Sequence, residues 1–365
     1  MCADRRLVWI WMFIAWITAG QASTGQTNTG QTNTGQEFWK LVPTGTDASL
    51  RGLSAIDQKT AWTCGSQGTL LGTIDGGQTW TRRGIEGLES TELRSIHAWS
   101  ADELVVATAG TPCRIYLSKD AGRTWKIVYE NEDPQAFIDG MKFWDEKRGF
   151  VFGDPIDGKL MALRSDDRGQ HWLSSAQQDY RLGPGEAGFA ASNSSLMVFE
   201  PESVWIGLGG ASGAAQVLIS DDGGLNWTRS DVEPIPSGKS SGIFSLARGA
   251  QGQVVAVGGD YMQADGKTGN VALYDSVGRV WQRPRGKGPG GFRSSVIYLS
   301  QPIRIERSDQ GLVRWICAGP NGSEASADAQ DWFALSDESF HALAVASDGS
   351  LWACGAKGRV GLHVR

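Results

Sequence analysis

Three scarcities narrow the chain before any motif is read. Basic charge is not in excess: 34 Lys and Arg stand against 40 Asp and Glu in 365 residues, a net charge of -6. A nucleic-acid partner is therefore not expected, because phosphate binding needs a basic footprint. Histidine is scarce, with four residues (His97, His171, His341 and His363), and neither H-x-x-x-H nor C-x-x-C spacing occurs. A metal centre is not expected from such a set. Long helical periodicity is missing too, and no G-x-G-x-x-G opens a helix, so dinucleotide chemistry lacks its usual frame. No cofactor is expected.

What is present begins at the N-terminus. Arg5 and Arg6 precede the apolar run Leu7 to Gly20, and Gly20-Gln21-Ala22 offers small residues for cleavage after Ala22. Together these describe a secretory signal peptide over residues 1–22. A retained anchor is the alternative, but the run falls short of the roughly 20 residues that span a bilayer. The expectation is an exported protein, periplasmic or extracellular, with no stable membrane insertion after cleavage. Residues 23–36 repeat GQTNT with nothing apolar to bury, as a linker would. The folded domain is expected over residues 37–365. Its cysteines, Cys64, Cys113, Cys317 and Cys354, are expected as buried free thiols. Three of them recur in equivalent contexts of separate units, beyond the roughly 7 Å reach of a disulfide.

Within the domain one eight-residue pattern returns: TIDGGQTW ending at Trp80, SKDAGRTW at Trp125, SDDRGQHW at Trp172 and SDDGGLNW at Trp227. Worn copies end at Trp281 and Trp332, and a further unit begins at Phe340 without such a box. The strand it lacks stands at the other end of the domain, where GQEFWKLVP carries Trp39. Repeats of about 40–50 residues built from short strands indicate a propeller. Counting outer-strand tryptophans gives an all-β, seven-bladed β-propeller whose N-terminal strand completes the last blade and closes the ring. Strand A of the blades is expected at RGLSAI, LRSIHA, IDGMKF, FAASNS, GIFSLA, FRSSVIYL and FHALAVA.

The box itself reads S/T-x-D-x-G-x-T-W, an Asp-box. Its carboxylate suits a tight turn's N–H groups, its glycine a positive φ, and its Trp a seam between blades. Asp75, Trp80, Asp120, Trp125, Asp167, Trp172, Asp222 and Trp227 are thus expected as structural residues. Calcium or sugar binding is the rival reading. Boxes in separate blades cannot bring their carboxylates to one ion, and one carboxylate is a weak site.

The stretch RGLSAIDQKTAWTCGSQGTLLGTIDGGQTW, with GFRSSVIYL and SFHALAVASDGSLWACGAKGRV later, resembles the photosystem II stability/assembly factor family of Asp-box propellers. The resemblance implies a non-enzymatic binding module that engages a protein, possibly a membrane-protein complex of the cell envelope, as a monomer. Sialidases share the box, so a glycan-binding or sialidase-like glycoside hydrolase is the alternative. That chemistry needs three arginines, a Tyr–Glu pair and an acid/base Asp. Tyr261, Glu200 and Asp154 with Arg94 and Arg293 offer partial matches, without a third arginine. No catalytic residue is expected.

In a propeller the starts of strands A and the B–C turns share one face, and the boxes lie on the other. At the strand starts the second motif position reads Ser54, Arg94, Asp139, Phe244, Arg293 and His341. The B–C turns add Asp154, Asp260 and Tyr261. Arg94, Asp139, Asp154, Asp260, Tyr261, Arg293 and His341 are therefore the expected binding site at the channel mouth, since converging polar groups in a concavity mark a site. Ordinary salt bridges and turn caps in a wet channel would look the same.

Overall fold

A computed structural model describes residues 37–175, 180–211, 213–305 and 311–364; the expected signal peptide and linker lie outside these residues. Seven four-stranded antiparallel sheets form the blades. The first comprises strands Leu50–Ala55, Ala61–Gly65, Leu70–Thr73 and Thr81–Arg83. The last comprises Ala342–Val345, Leu351–Cys354 and Val360–His363, with Lys40–Leu41 as its outer strand, so chain ends meet in one sheet. Lys40 pairs with Leu362 and Leu41 with Gly361. The ring is closed as the tryptophan count requires, and the last blade gains its fourth, outer strand.

The apolar core is not one mass but a set of seams between neighbouring blades. The outer-strand tryptophans explain why. Each enters the seam shared with the preceding blade: Trp80 and Trp125, Trp172 and Trp227, Trp281 and Trp332, and Trp39 last of all. Trp39 is fully buried, donates from Nε1 to Ser323 Oγ at 3.0 Å and meets Phe340 edge-on at 5.3 Å. Cys64, Cys113, Cys317 and Cys354 are buried free thiols within these seams.

The Asp-boxes occupy C–D turns. In the second blade Asp120 Oδ1 accepts from the N–H groups of Arg123 and Thr124 at 3.0 and 2.9 Å, and Thr124 Oγ1 donates to Oδ2 at 2.7 Å. These bonds, the Thr124 backbone first, hold the Asp120 carboxyl down to about 2. The buried hydroxyl ahead of each Asp is a second hub: Ser118, Ser165 and Ser220 accept N–H groups of Gly122, Gly169 and Gly224. Asp75, Asp167 and Asp222 repeat the pattern with Thr79, His171 and Asn226. The turn needs two successive positive-φ residues, such as Gly76–Gly77 or Ala121–Gly122, so the residue ahead of the box glycine shares its constraint.

One strand is displaced from its expected place. The fourth blade's strand A is Leu196–Phe199 rather than Phe189–Ser194. The Ala, Ser and Asn residues of Phe189–Ser194 offer little to a pleated, half-buried surface, and pairing begins where the run Leu-Met-Val-Phe starts. The bypassed residues have another position, on the mouth of the ring.

Candidate functional site

Backbone register decides which side chain each blade turns toward the axis. In four blades the A–B pairing skips one residue: between Leu50 and Gly52, Leu93 and Ser95, Ile138 and Gly140, and Ile243 and Ser245. A bulge of this kind re-aims the extra residue. The bulged residues are Arg51, Arg94, Asp139 and Phe244. The first-blade counterpart of Arg94 is therefore Arg51, which the sequence reading missed in favour of Ser54.

Arg293 also falls elsewhere than expected. Its N–H donates across the seam to Gly258 O, as Leu50 N does to Gly355 O and Phe340 N to Gly319 O. It thus holds a seam position, and Ser294 is the residue that follows toward the axis. The Arg293 guanidinium is buried against Glu324, with Nη2 donating to Oε2 at 2.7 Å and Nε at 3.1 Å. Glu324 also accepts the Gly290 N–H at 2.9 Å. Arg293 is a structural cation of the sixth blade.

The channel mouth holds the chain's own segment, residues 187–195. Arg94 Nη1 donates to Ala190 O at 3.2 Å and Arg51 Nη1 to Ala191 O at 3.5 Å. Ser192 Oγ donates to Ser294 O at 2.6 Å, and Asn193 Oδ1 accepts the Met141 N–H at 2.7 Å. Ser194 Oγ donates to Ser245 Oγ at 2.7 Å. These partners belong to blades one, two, three, five and six. Small side chains let the segment lie this close, and main-chain groups carry many of the bonds.

Beneath the segment sit two carboxyls. Asp139 is fully buried beside Asp154, and the two are hydrogen-bonded to each other. Burial, then the Asp154 charge, raises Asp139 well above the carboxylate range; burial raises Asp154 to about 6. The neutral form of Asp139 is accordingly favoured. Gly188 donates its N–H to Asp154, and a Cβ on Gly188 would fall 2.7 Å from Asp139 Oδ2. Outside the pair itself, Asp139 Oδ2 and Asp154 Oδ1, both buried, have no hydrogen-bond partner among the described residues.

His341 lies nearby, its Nδ1 3.0 Å from Leu50 O, consistent with a neutral ring donating to that carbonyl. Burial lowers it to about 3, and the charge of Arg51 adds to the effect. Arg51 is itself lowered to about 10 by burial, then by Arg94. Arg94 also pairs with Glu92 at 3.3 Å. Arg51, Arg94, Asp139, Asp154 and His341 are thus brought together.

Asp260 and Tyr261 stand at the rim. Asp260 caps a short 3-10 helix, Tyr261–Gln263, accepting the Met262 N–H at 2.9 Å. The Tyr261 ring meets Phe244 and Phe292 edge-on at 6.2 and 6.5 Å, while Phe189 stacks on Phe244 at 4.0 Å. The hydrolase constellation does not assemble. Glu200 is paired with Arg148 at 2.8 Å, on an A–B turn of the box face and away from Tyr261. Among the described residues no group of three or more His, Cys, Asp or Glu is placed to hold a metal ion.

Residues 31–134 match the family described as photosynthesis system II assembly factor YCF48. No curated protein matches the chain significantly. A solved structure described as YCF48 bound to D1 peptide is 16% identical with a TM-score of 0.60, covering 91% of this chain and 98% of that one. YCF48 from Cyanidioschyzon merolae is 15% identical with a TM-score of 0.55, over 89% and 98% of the two chains. The GH74 xyloglucanase from Xanthomonas campestris, also 15% identical at a TM-score of 0.55, matches over 88% of this chain and 52% of its own. The chain is similar to assembly-factor propellers of this kind, and the solved structures share its fold.

Proposed function

We propose that the chain is an exported, non-catalytic binding module that captures an extended peptide segment of a protein partner, a membrane-protein complex of the cell envelope, on the channel-mouth face. It works as a monomer. The observation that carries this reading is the mouth itself. Arginines, serines and backbone groups from several blades converge there on the main chain of residues 187–195, the kind of contact that peptide capture uses. A propeller of the same fold is described in complex with a D1 peptide, which supports a peptide as the ligand. The basic start and short apolar run of residues 1–22 support export. The carboxyl pair supports binding over catalysis, since Asp139 and Asp154 face each other rather than an open cleft.

Two exposed side chains on opposite faces give the test. Met262 is 70% exposed at the mouth rim, and Ile74 is 69% exposed within the first Asp-box. With the photo-crosslinker p-benzoylphenylalanine at either position in intact host cells, a discrete protein adduct is expected from position 262 and not from 74. Adducts from position 74 alone, or equally from both, would contradict the assignment of the face.

A further inference from the structure

The carboxyls of Asp139 and Asp154 carry a proton count with consequences for the mouth. Asp139 Oδ2 and Asp154 Oδ1 are buried, and outside the pair neither meets a donor among the described residues. The two side chains are nonetheless hydrogen-bonded to each other. Two carboxylates have only acceptors to offer, so the contact requires a proton on one of them. The backbone sets this contact. Asp139 is the bulged residue between Ile138 and Gly140, and Asp154 N donates to Phe137 O at 3.0 Å, which lays the B–C turn against the start of strand A.

The charges around the pair are few. Arg94, on the second-blade strand Glu92–Ala98, acts on Asp139, and behind it stand Glu92 at 3.3 Å and Arg51. Residues 187–195 and the fourth-blade strand Leu196–Phe199 bring no titratable group. Arg94 therefore stands between two acceptors: Ala190 O, to which its Nη1 donates at 3.2 Å, and the Asp139 carboxyl. A neutral Asp139 leaves the guanidinium to the mouth. An ionised one draws it inward, since opposite charges attract more strongly where water is excluded.

We propose that Asp139 is a proton-carrying positioning residue: protonation of the Asp139–Asp154 pair keeps Arg94 turned to Ala190 and the mouth, and ionisation of the pair draws Arg94 inward. Its bearing on capture rests on the functional reading above, under which capture is strongest in acid. The sign follows from the pair. Burial raises both carboxyls, Asp154 to about 6 and Asp139 well above its usual value. The stability they contribute is complete below the unfolded carboxylate value of about 4 and is lost as pH rises through the folded values.

Two readouts on the full-length protein test this without any partner. The first is urea unfolding from about pH 5 to 9. Asp139→Asn sets an amide donor against Asp154 and cannot ionise; with that amide and the Gly188 N–H on it, Asp154 is charged throughout the window. As pH rises, the parent should lose stability relative to Asp139→Asn by at least about ten-fold in the unfolding equilibrium constant. The second is the NMR signal of the Arg94 Nε–H, assigned by its absence in Arg94→Lys. It should shift across this window in the parent and hold still in Asp139→Asn. Parallel stability profiles, or an Arg94 signal that ignores pH in the parent, would overturn the proposal. If Asp139→Asn does not fold, Asp154→Asn replaces it, because its amide can face Asp139 while its oxygen still accepts the Gly188 N–H. The absence of an adduct from position 262 would fail the functional reading alone, and parallel profiles would fail this inference alone.

Discussion

At the scale of the residue, Arg293 leaves the axial place the sequence assigns it, and Arg51 holds the first-blade place assigned to Ser54. Arg293 sits in the sixth blade, where strand B reads WICAG; its counterparts read WTCG and WACG, one residue shorter. Tryptophan and cysteine invite alignment, but the closing glycines, Gly65, Gly319 and Gly355, fix the inner register, because strand A passes directly over them. Counted from the glycine, Arg293 is a seam residue. Arg293→Ala should then act on stability, since it strands a buried carboxylate at Glu324. Losing one partner of a buried pair costs about 3–5 kcal/mol. A urea-unfolding midpoint close to the parent's would contradict that role. Asp154, Asp260 and Tyr261 were placed by turn chemistry alone, and they do fall on B–C turns. What the sequence could not carry is that Asp154 faces Asp139, for that pairing is set by the bulge.

At the scale of the element, the Asp-box is a closed hydrogen-bond unit, and most of it is local. Asp222 accepts from Leu225 and Asn226, and Ser220 accepts from Gly224, all within seven residues. Locality is why the box was legible: its partners are its sequence neighbours. Ser220→Ala keeps the carboxylate but leaves the buried Gly224 N–H without its acceptor, at about 1–3 kcal/mol. Thermal unfolding should drop by a few degrees, with the far-UV spectrum unchanged below the transition. An unchanged midpoint would mean that the hydroxyl is not a hub. The fourth strand A was illegible for the opposite reason. Residues 187–195 take their conformation from Arg51, Arg94, Met141 and Ser294, which lie up to 140 residues away in sequence. A local reading sees small residues near a strand and calls them strand.

At the scale of the whole molecule, seven seams and one closing strand make a rigid ring with two unlike faces. The box face spends its polar groups on its own turns. The mouth face directs the side chains of Arg51, Arg94, Ser192 and Ser194 onto backbone or neighbouring hydroxyls across the axis. The count of blades was readable because each outer strand needs one tryptophan for its seam. The occupied mouth was not, because it depends on all blades being assembled. The division of labour between the faces is the central claim, and one comparison tests it most directly. Arg51→Ala with Arg94→Ala is set beside Ser220→Ala, with thermal midpoint and capture of the partner crosslinked at position 262 measured together. The account predicts that the double arginine variant, still folded, loses capture by about ten-fold or more, whereas Ser220→Ala melts earlier and captures normally. A folded double variant that captures like the parent, with capture lost instead in Ser220→Ala below its transition, would contradict it.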